Sequence, residues 1–356
     1  MAAATPPAPP TALIGGRYAV VARIGGGANG DVYEVHDTYQ NERVALKLLA
    51  PGPHGVWAEA AILTGLRDDH ILPVRNADLH LGQPYLVTAL ALHGTLKTVT
   101  PSFGIPPEEA VRWIRQVCRG AARTHDAGLL HTDIKPDNAF LDDGDDALLG
   151  DFGLACLPDP ATGQGHNGGT AETMAPEVCR SHLGLPGGSG ATRASDVYSL
   201  GATLRYVLTG AYAHQRTPAD PQGLGCMAAV AAGPGPSLFA TQPHLPKGLC
   251  DRVDLAMHRD PTMRPPGPTA LAALLADWPR PARSWRRTDE HPGHGGCWRG
   301  TKKGAAELLC CAVPDGKGFA VETRGPAGKK VTAACTAAPR AAALNTAVRR
   351  AFRGAG

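Results

Sequence analysis

Short apolar runs separated by turn residues fill most of the first ninety positions, and each run has the length of a strand. The four predicted strands cover residues 18–24, 32–35, 44–47 and 84–91. Residues 56–66 differ, because their apolar side chains recur at helical spacing and predict a helix. The first two strands are joined by a glycine-rich turn, and Lys47 ends the third strand.

The middle of the chain has helical periodicity. Residues 107–127 predict an amphipathic helix with Glu108 and Glu109 in its first turn, where the helix dipole favours acidic side chains. Residues 195–207 predict a buried helix that begins at Ser195 as its N-cap. Residues 271–278 predict a further short helix, and residues 147–150 a short strand that leads directly to Asp151.

The last part of the chain returns to mixed patterning. Residues 280–296 are rich in Pro, Arg, Gly and His and predict a linker. Residues 307–313 and 318–324 predict two strands around a turn, residues 330–335 allow a third strand, and residues 341–352 predict a helix. We therefore expect a small α+β module over residues 297–356. A core of that size is marginal by itself, so the module would dock on the rest of the chain or on a partner.

Composition excludes several classes of protein. Of the 356 residues, 43% are hydrophobic, which is enough for a substantial core. We find no apolar run of the roughly 18 residues that a membrane helix needs. Residues 1–16 predict a disordered lead-in and carry no secretory signal pattern. Nine cysteines without a C-x-x-C pair indicate reduced thiols and a cytoplasmic location.

Charge is distributed unevenly along the chain. Residues 280–356 contain 15 Lys and Arg against five Asp and Glu, so the net charge of +3 hides a basic C-terminal part. Such a surface could bind nucleic acid or an acidic partner through salt-dependent contacts. Few aromatic residues accompany it, and the composition favours a solvated basic face over a nucleic-acid site.

A second candidate in this part is a metal site. The spacing His291-x-x-His294-x-x-Cys297 could bind zinc together with a later cysteine. No second ligand pair with a clear spacing follows, so the sequence alone does not favour zinc.

The strongest chemical pattern lies at residues 131–138, with the sequence H-T-D-I-K-P-D-N, and is followed by Asp151-Phe152-Gly153. Phosphoryl transfer needs such residues, because the protein must orient a hydroxyl group and neutralise the charge of the γ-phosphate. Carboxylate and amide oxygens suit Mg²⁺, which prefers oxygen ligands and can bind phosphates at the same time.

These motifs, in this order, resemble those of the eukaryotic-type, or Hanks-type, protein kinases, and in particular bacterial serine/threonine kinases. The glycine turn at residues 25–30 resembles the kinase phosphate loop, and residues 44–47 resemble the V-A-I-K strand. Residues 174–177 and 260–265 resemble the later A-P-E and D-P-x-x-R-P motifs. The resemblance implies a bilobal α+β fold over residues 17–279, with an N-lobe at 17–91 and a C-lobe at 92–279.

The resemblance also assigns roles to individual residues. The implied catalytic residues are Asp133, Lys135, Lys47, Glu59 and Thr170. The implied metal ligands are Asn138 and Asp151, for Mg²⁺ or for Mn²⁺ in its place. The residues implied to surround ATP are Ile24, Gly25, Gly26, Gly27, Ala28, Asn29, Gly30, Val32, Ala45, Lys47, Thr88, Ala89, Ala91 and Phe140. Two further roles are structural. Asp196 would brace residues 131–138, which correspond to the catalytic loop of the family and are given that name below, and Arg264 would pair with Glu177.

The implied reaction is transfer of the γ-phosphate of Mg-ATP to serine or threonine hydroxyls of proteins. One departure is Thr132, which stands where many kinases carry an arginine that binds a phosphorylated activation loop. We therefore expect activity without phosphorylation of Thr162, Thr170 or Thr173. Two alternatives are a pseudokinase and a small-molecule phosphotransferase. The first typically lacks residues such as Lys47 and Asp133, and the second lacks the A-P-E segment.

Overall fold

A computed structural model describes residues 13–27, 30–49, 64–233 and 235–356. Its first region is a five-stranded antiparallel sheet with the strand order β1-β2-β3-β5-β4. The strands are β1 (Tyr18–Gly27), β2 (Gly30–Asp37), β3 (Glu42–Leu49), β4 (Val74–His80) and β5 (Gln83–Ala89). Alternate side chains of these strands form one apolar cluster, which includes Tyr18, Val35, Leu46 and Val87.

The second region is mostly helical. Its helices are α1 (Leu96–Val99), α2 (Pro107–Asp126), α3 (Pro176–His182), α4 (Arg193–Thr209), α5 (Leu224–Ala232), α6 (Leu238–Thr241), α7 (Lys247–Ala256) and α8 (Pro268–Ala276). A two-stranded sheet of β6 (Ala139–Leu141) and β7 (Ala147–Leu149) follows the 3₁₀ turn Pro136–Asn138. Helices α2 and α4 supply much of the large core, and fifteen residues of α4 are buried.

The two-lobed α+β fold predicted from the sequence is confirmed. The start of α4 differs from the prediction, because Thr192 is the N-cap and Ser195 lies three residues into the first turn. Both side chains contribute to a capping box, in which each hydroxyl accepts a hydrogen bond from the other residue's backbone N–H. Most of the helix predicted at residues 56–66 lies outside the described residues, although Thr64 and Gly65 are helical.

The C-terminal module is a five-stranded antiparallel sheet with one helix on it. Its strands have the order β12-β11-β10-β9-β8, and its helix is α9 (Leu344–Gly354). The strands are β8 (Ser284–Thr288), β9 (Gly296–Thr301), β10 (Leu308–Asp315), β11 (Gly318–Arg324) and β12 (Thr336–Ala338). Trp285, Trp298 and Val348 belong to its separate apolar core.

Three boundaries in this module differ from the sequence prediction. The predicted linker at 280–296 is wrong in its middle, because Ser284–Thr288 form the edge strand β8. The sequence did not predict this strand, because it contains two arginines and is surrounded by Pro, Gly and His. Its one buried residue is Trp285. The third strand proposed at 330–335 begins later, at Thr336, after a 3₁₀ turn at Thr332–Ala334. The predicted helix begins as a 3₁₀ turn at Ala341–Ala343.

The N-terminal prediction is divided by the described range. Residues 1–12 of the predicted disordered segment lie outside it. Within residues 13–16, Ile14 is buried and its N–H and C=O both pair with Tyr18. In the described part of the chain, we find no helix with the length and apolarity that a membrane span requires.

The module rests against the helical region. The side-chain amide of Asn345 donates to the carbonyl oxygen of Ala240 at 2.8 Å. The Arg349 guanidinium donates to the carbonyl oxygen of Phe239 and lies 3.7 Å from the centre of its ring. At the other end of the module, the Ser284 hydroxyl donates to the Glu108 carboxylate at 3.1 Å.

Candidate active site

The loop after α2 places Asp133 at the centre of a hydrogen-bonded cluster. The Lys135 ammonium donates to one oxygen of the Asp133 carboxylate at 2.7 Å, and the Thr170 hydroxyl donates to the other oxygen at 2.7 Å. Lys135 also donates to the Thr170 hydroxyl oxygen at 2.8 Å. Asp133 is 4% exposed, so this carboxylate is held in one orientation by groups on two different loops.

Asn138 lies on the 3₁₀ turn that follows the loop and contacts the same aspartate. Its amide nitrogen donates to the carbonyl oxygen of Asp133 at 2.8 Å and to its carboxylate at 3.2 Å. The carbonyl oxygen of Asn138 accepts from the N–H of Gly150 at 2.9 Å, which connects this turn to the residue before Asp151. The Asn138 amide oxygen therefore remains as the group of this side chain suited to a cation.

Asp151 follows β7 and pairs with the lysine of β3. The Lys47 ammonium and the Asp151 carboxylate are 2.5 Å apart. Burial opposes ionisation of Asp151, but attraction to Lys47 and a hydrogen bond from it hold the pKa of Asp151 below its usual value. Lys135 adds a further attraction. The strand lysine, Asp151 and the Asp133 cluster consequently share one site.

The catalytic loop is fixed from beneath by Asp196 of α4. Its carboxylate accepts from the backbone N–H groups of His131 and Thr132, each at 2.9 Å. It also lies 2.8 Å from the ring nitrogen Nε2 of His125. The role predicted for Asp196 thus has a geometric basis. His125 was not identified from the sequence, where a single histidine near the end of a helix gives no specific signal.

The buried face of the loop also holds Phe152. His131 is fully buried, and its ring centre is 4.9 Å from that of Phe152. Burial lowers the pKa of His131, which favours the neutral imidazole. Its Nε2 lies 3.1 Å from the carbonyl oxygen of Gly150. This contact joins the catalytic loop to the segment that carries Asp151.

Thr132 contacts the segment that follows Gly153. The Thr132 hydroxyl donates to the carbonyl oxygen of Leu154 at 2.6 Å. Nε2 of His166 lies 2.7 Å from the same oxygen and 3.3 Å from the Thr132 hydroxyl. His166 was also missed in the sequence, because it belongs to no motif. Its ring anchors the segment to the catalytic loop.

The ion pair predicted between Glu177 and Arg264 is present. Two parallel hydrogen bonds of 2.7 Å join the guanidinium to the two carboxylate oxygens. Arg264 has no exposed side-chain surface and also donates to the carbonyl oxygens of His258 and Ala194. This bidentate pair connects the start of α3 to the turn before α8.

The glycine turn lies at the end of the β1–β2 hairpin. Gly25, Gly26 and Gly27 pair with Val32, Asp31 and Gly30. Gly30 has φ +123°, and a Cβ atom there would lie 1.9 Å from the carbonyl oxygen of Leu48, so only glycine fits.

Ile24 is half-exposed on β1. Ala28, Asn29 and the predicted catalytic Glu59 lie outside the described residues.

The remaining residues predicted to surround ATP lie on β2, β3, β5 and β6. Val32 of β2 lies opposite Lys47 of β3, and Ala45 of β3 lies opposite Thr88 of β5. A cavity of about 240 Å³ lies beside the segment after β5 and is lined by Ala89, Ala91, Leu72, Leu141 and Leu148, among others. Its lining includes neither Lys47 nor Phe140. Phe140 instead lies against Gly150, where a Cβ atom would be 2.8 Å from its ring.

Comparison with known proteins agrees with this geometry. The family model described as the protein kinase domain matches residues 18–275. The serine/threonine-protein kinase PknL of Mycobacterium tuberculosis is 33% identical over 230 residues, which cover 59% of this chain and 56% of PknL. PknD of the same species is 30% identical over 272 residues, covering 72% of this chain and 39% of PknD.

A third relative is the serine/threonine-protein kinase PknH of Mycobacterium bovis. It is 31% identical over 270 residues, which cover 72% of this chain and 44% of PknH. The chain therefore spans about half the length of the curated relatives it matches, or less.

Proposed function

The chain belongs to the protein kinase domain family, and on that premise we propose that it transfers the γ-phosphate of ATP to serine or threonine hydroxyls of proteins. The arrangement of Lys135 and Thr170 around the Asp133 carboxylate carries this proposal. Lysine two residues after the catalytic aspartate, hydrogen-bonded to a threonine of the later loop, is the pattern expected for serine/threonine specificity.

Asp133 would orient the acceptor hydroxyl and accept its proton. Its two oxygens are held by Lys135 and Thr170, so an incoming hydroxyl would meet a carboxylate of fixed direction. Lys135 would lie beside the moving phosphoryl group and offset its charge. These two effects, positioning and electrostatic stabilisation, supply most of the rate enhancement in phosphoryl transfer.

ATP would bind beneath the β1–β2 hairpin. Backbone N–H groups of residues 25–30 would approach the phosphates, and Lys47 would contact the α- and β-phosphates. Ile24, Val32 and Ala45 would cover the adenine ring, with Phe140 below it. Backbone groups near Ala89 and Ala91 would form hydrogen bonds with the ring, and the Thr88 side chain would lie at the back of the pocket. The resemblance gives Glu59 the role of ion-pair partner of Lys47, and we include that role in the proposal.

Protein kinases as a family use a divalent metal with ATP. The residues present fit Mg²⁺, because the Asp151 carboxylate and the Asn138 amide oxygen are hard oxygen ligands. The low pKa of Asp151 keeps its carboxylate charged at neutral pH. Mn²⁺ could replace Mg²⁺ with the same ligands. Asp151 and Asn138 would hold the metal, whose positive charge would offset that of the ATP phosphates.

The test is incubation of the full chain with labelled ATP and general protein acceptors, beside Asp133→Asn. We expect a loss of about 10²–10⁴-fold in kcat for this variant, the range typical of a lost general base. Its Kd for ATP should stay within a few-fold. Asp251→Asn is the matched control, because it makes the same change on a carboxylate that is 52% exposed on α7.

The same assay separates the alternatives. Absence of label with the wild type would overturn the kinase proposal and favour a pseudokinase. Equal labelling by the wild type and Asp133→Asn would show that Asp133 does not carry the reaction. Label that appears only on small molecules would favour a small-molecule phosphotransferase. Label on serine or threonine of proteins, lost in Asp133→Asn alone, supports the proposal.

We further propose that the chain acts in the cytoplasm and that the basic module serves the kinase domain itself. Eight cysteines of the described residues form no disulfide, which suits a reducing compartment: Cys118, Cys179, Cys226, Cys250, Cys297, Cys310, Cys311 and Cys335. The contacts of Asn345 and Arg349 with residues 239–240 support an intramolecular role for the module. An acidic protein partner remains the alternative occupant of its basic face, in preference to nucleic acid.

A further inference from the structure

Four side chains with metal-binding atoms meet in the C-terminal module. They are His291, His294, Cys297 and Cys311, and one ligand atom from each lies within 4.8 Å of the other three. The first two are on the loop between β8 and β9, the third is on β9, and the fourth is on β10. None of them takes part in the site described above.

Three nitrogen–sulfur distances in this group are close to those around a tetrahedral zinc ion. Nδ1 of His294 is 3.3 Å from Sγ of Cys297, and Nδ1 of His291 is 3.4 Å and 3.5 Å from Sγ of Cys297 and Cys311. Typical Zn–S and Zn–N bonds give S···N separations of about 3.5–3.6 Å. The two sulfur atoms are 3.1 Å apart, so they would separate to about 3.8 Å around the ion.

Strand pairing explains why the two cysteines meet despite thirteen intervening residues. Cys297 and Cys311 lie directly opposite each other in the antiparallel register of β9 and β10. Their neighbours Trp298 and Cys310 point into the apolar core beneath α9, whereas Cys297 and Cys311 are not part of that core. Side chains alternate between the faces of a strand, so both thiols lie on the face away from α9.

Both thiols are nevertheless buried, and the loop between β8 and β9, which carries His291 and His294, covers that face. Gly293, at φ +90°, allows the loop to turn back on itself, and the N–H of His294 donates to the carbonyl oxygen of His291. The N–H of Gly295 donates to the carbonyl oxygen of Ala312 at 2.8 Å, which ties the loop to β10. The loop thereby holds both imidazoles above the cysteine pair.

We propose that these four residues form a structural zinc site. Two thiolates and two neutral imidazoles match the ligand preference of Zn²⁺, and the thiolates offset its charge. Both histidines would bind through Nδ1. Four protein ligands leave no coordination position for a substrate, so the ion would have a structural role.

The ion would fasten the loop to the sheet of a module whose core is small. Domains of this size commonly need a metal or disulfides in addition to their apolar core. The loop is continuous with β8, whose first residue, Ser284, contacts Glu108 of α2. Loss of zinc should therefore loosen the edge of the module that faces the helical lobe.

The direct test is the zinc content of the full chain, purified without chelators and measured by elemental mass spectrometry. We expect about one zinc per chain, because a structural site of this kind is filled by a single ion. Cys297→Ser and Cys311→Ser should abolish binding. His291→Ala changes an exposed loop position and should raise the Kd for Zn²⁺ by at least about 100-fold, since outer-sphere partners alone contribute 10–100-fold.

Cys310→Ala is the matched control, because Cys310 adjoins Cys311 in sequence but faces the apolar core. It should retain a full equivalent of zinc. Replacement by Co²⁺ should give the absorption of a tetrahedral ion with thiolate ligands, and this spectrum should be lost in Cys297→Ser. If a cysteine variant fails to fold, the zinc affinity of His291→Ala and the Co²⁺ spectrum of the wild type still test the proposal.

Three results would overturn the proposal. The first is a wild-type chain that neither contains zinc nor takes up one equivalent after reduction. The second is an intact mass two hydrogens lower than the reduced chain, with Cys297 linked to Cys311. The third is unchanged zinc affinity in both His291→Ala and Cys297→Ser. None of these readouts depends on kinase activity, so the zinc site and the proposed reaction can fail separately.

Discussion

Gly150, the residue before Asp151, illustrates how one position constrains its neighbours. A Cβ atom at Gly150 would lie 2.8 Å from the ring of Phe140 and 3.0 Å from Cβ of Leu72. Phe140 has a large side chain, and the absence of a side chain at residue 150 provides the space for it. The two positions are therefore expected to be energetically coupled.

We predict that Gly150→Ala lowers the free energy of unfolding by about 1–3 kcal/mol, the typical effect of overpacking a core. Phe140→Leu in the same chain should restore part of this loss, because it relieves the contact of the new methyl group with the ring but not its contact with Leu72. Urea unfolding of the wild type, both single variants and the double variant measures the coupling energy. Strictly additive effects would contradict the proposed contact.

Asp196 is a second residue whose environment determines how much it contributes to the stability of the fold. Burial opposes ionisation, but hydrogen bonds from His125 and from the backbone of His131 hold the pKa of Asp196 below its usual value. A carboxyl group whose pKa is lower in the folded than in the unfolded chain stabilises the fold above the unfolded pKa, near 3.9. That stabilisation is lost as the pH falls through the lower, folded pKa.

Asp196→Asn should therefore lower stability at pH 7 by about 2–4 kcal/mol, because two backbone N–H groups and His125 lose a charged acceptor. The stability of this variant should also depend less on pH between pH 5 and about 2. Urea unfolding across this range provides the measurement. Asp126→Asn, an exposed position next to His125, is the control and should behave like the wild type.

At the scale of elements, the segment after Gly153 is held in place by side-chain and backbone hydrogen bonds. Thr132 and His166 both bind the carbonyl oxygen of Leu154, and Leu130 pairs with Cys156 through two backbone hydrogen bonds. Thr162, farther along the segment, is exposed, and its hydroxyl contacts the Asp159 carboxylate. A phosphate on Thr162 would be repelled by this carboxylate.

We predict that kinase activity does not require phosphorylation of this segment. Thr162→Ala and phosphatase-treated wild type should both retain activity within about twofold, because neutral contacts already position the segment. His166→Ala should lower kcat several-fold, since it removes one of the two groups at Leu154. A phosphatase-treated enzyme that stays inactive until it is rephosphorylated would show that the anchor at Thr132 and His166 is insufficient.

For the molecule as a whole, the sequence allowed the prediction of motifs whose residues are close together along the chain. Asp133, Lys135 and Asn138 lie within six residues, so their motif was recognisable before the geometry was known. Contacts that depend on strand register were not predictable in the same way. Cys311 meets Cys297 only because β9 and β10 pair in one register, and β8 was hidden by the polar composition around Trp285.

The contact between α9 and α6 is a further feature that no motif indicated. Arg349 stacks on Phe239 and donates to its carbonyl oxygen, and Asn345 donates to Ala240. Both residues lie on a helix that the sequence assigned only to a small basic module. Helix α9 is amphipathic, and its apolar face, with Val348 and Ala351, is occupied by the module's own sheet. The polar side chains at its edge are thus available to attach the module to the lobe.

We predict that Arg349→Ala weakens this attachment by about 1–2 kcal/mol, the sum expected for one cation–π contact and one hydrogen bond. Hydrogen–deuterium exchange should become faster in residues 238–242 and 344–350, while exchange around Asp133 should stay unchanged. Arg350→Ala is the matched control, because Arg350 is the exposed neighbour of Arg349 on α9. If both variants exchange like the wild type, the module is held mainly by its contacts near Ser284, and Arg349 contributes little to its attachment.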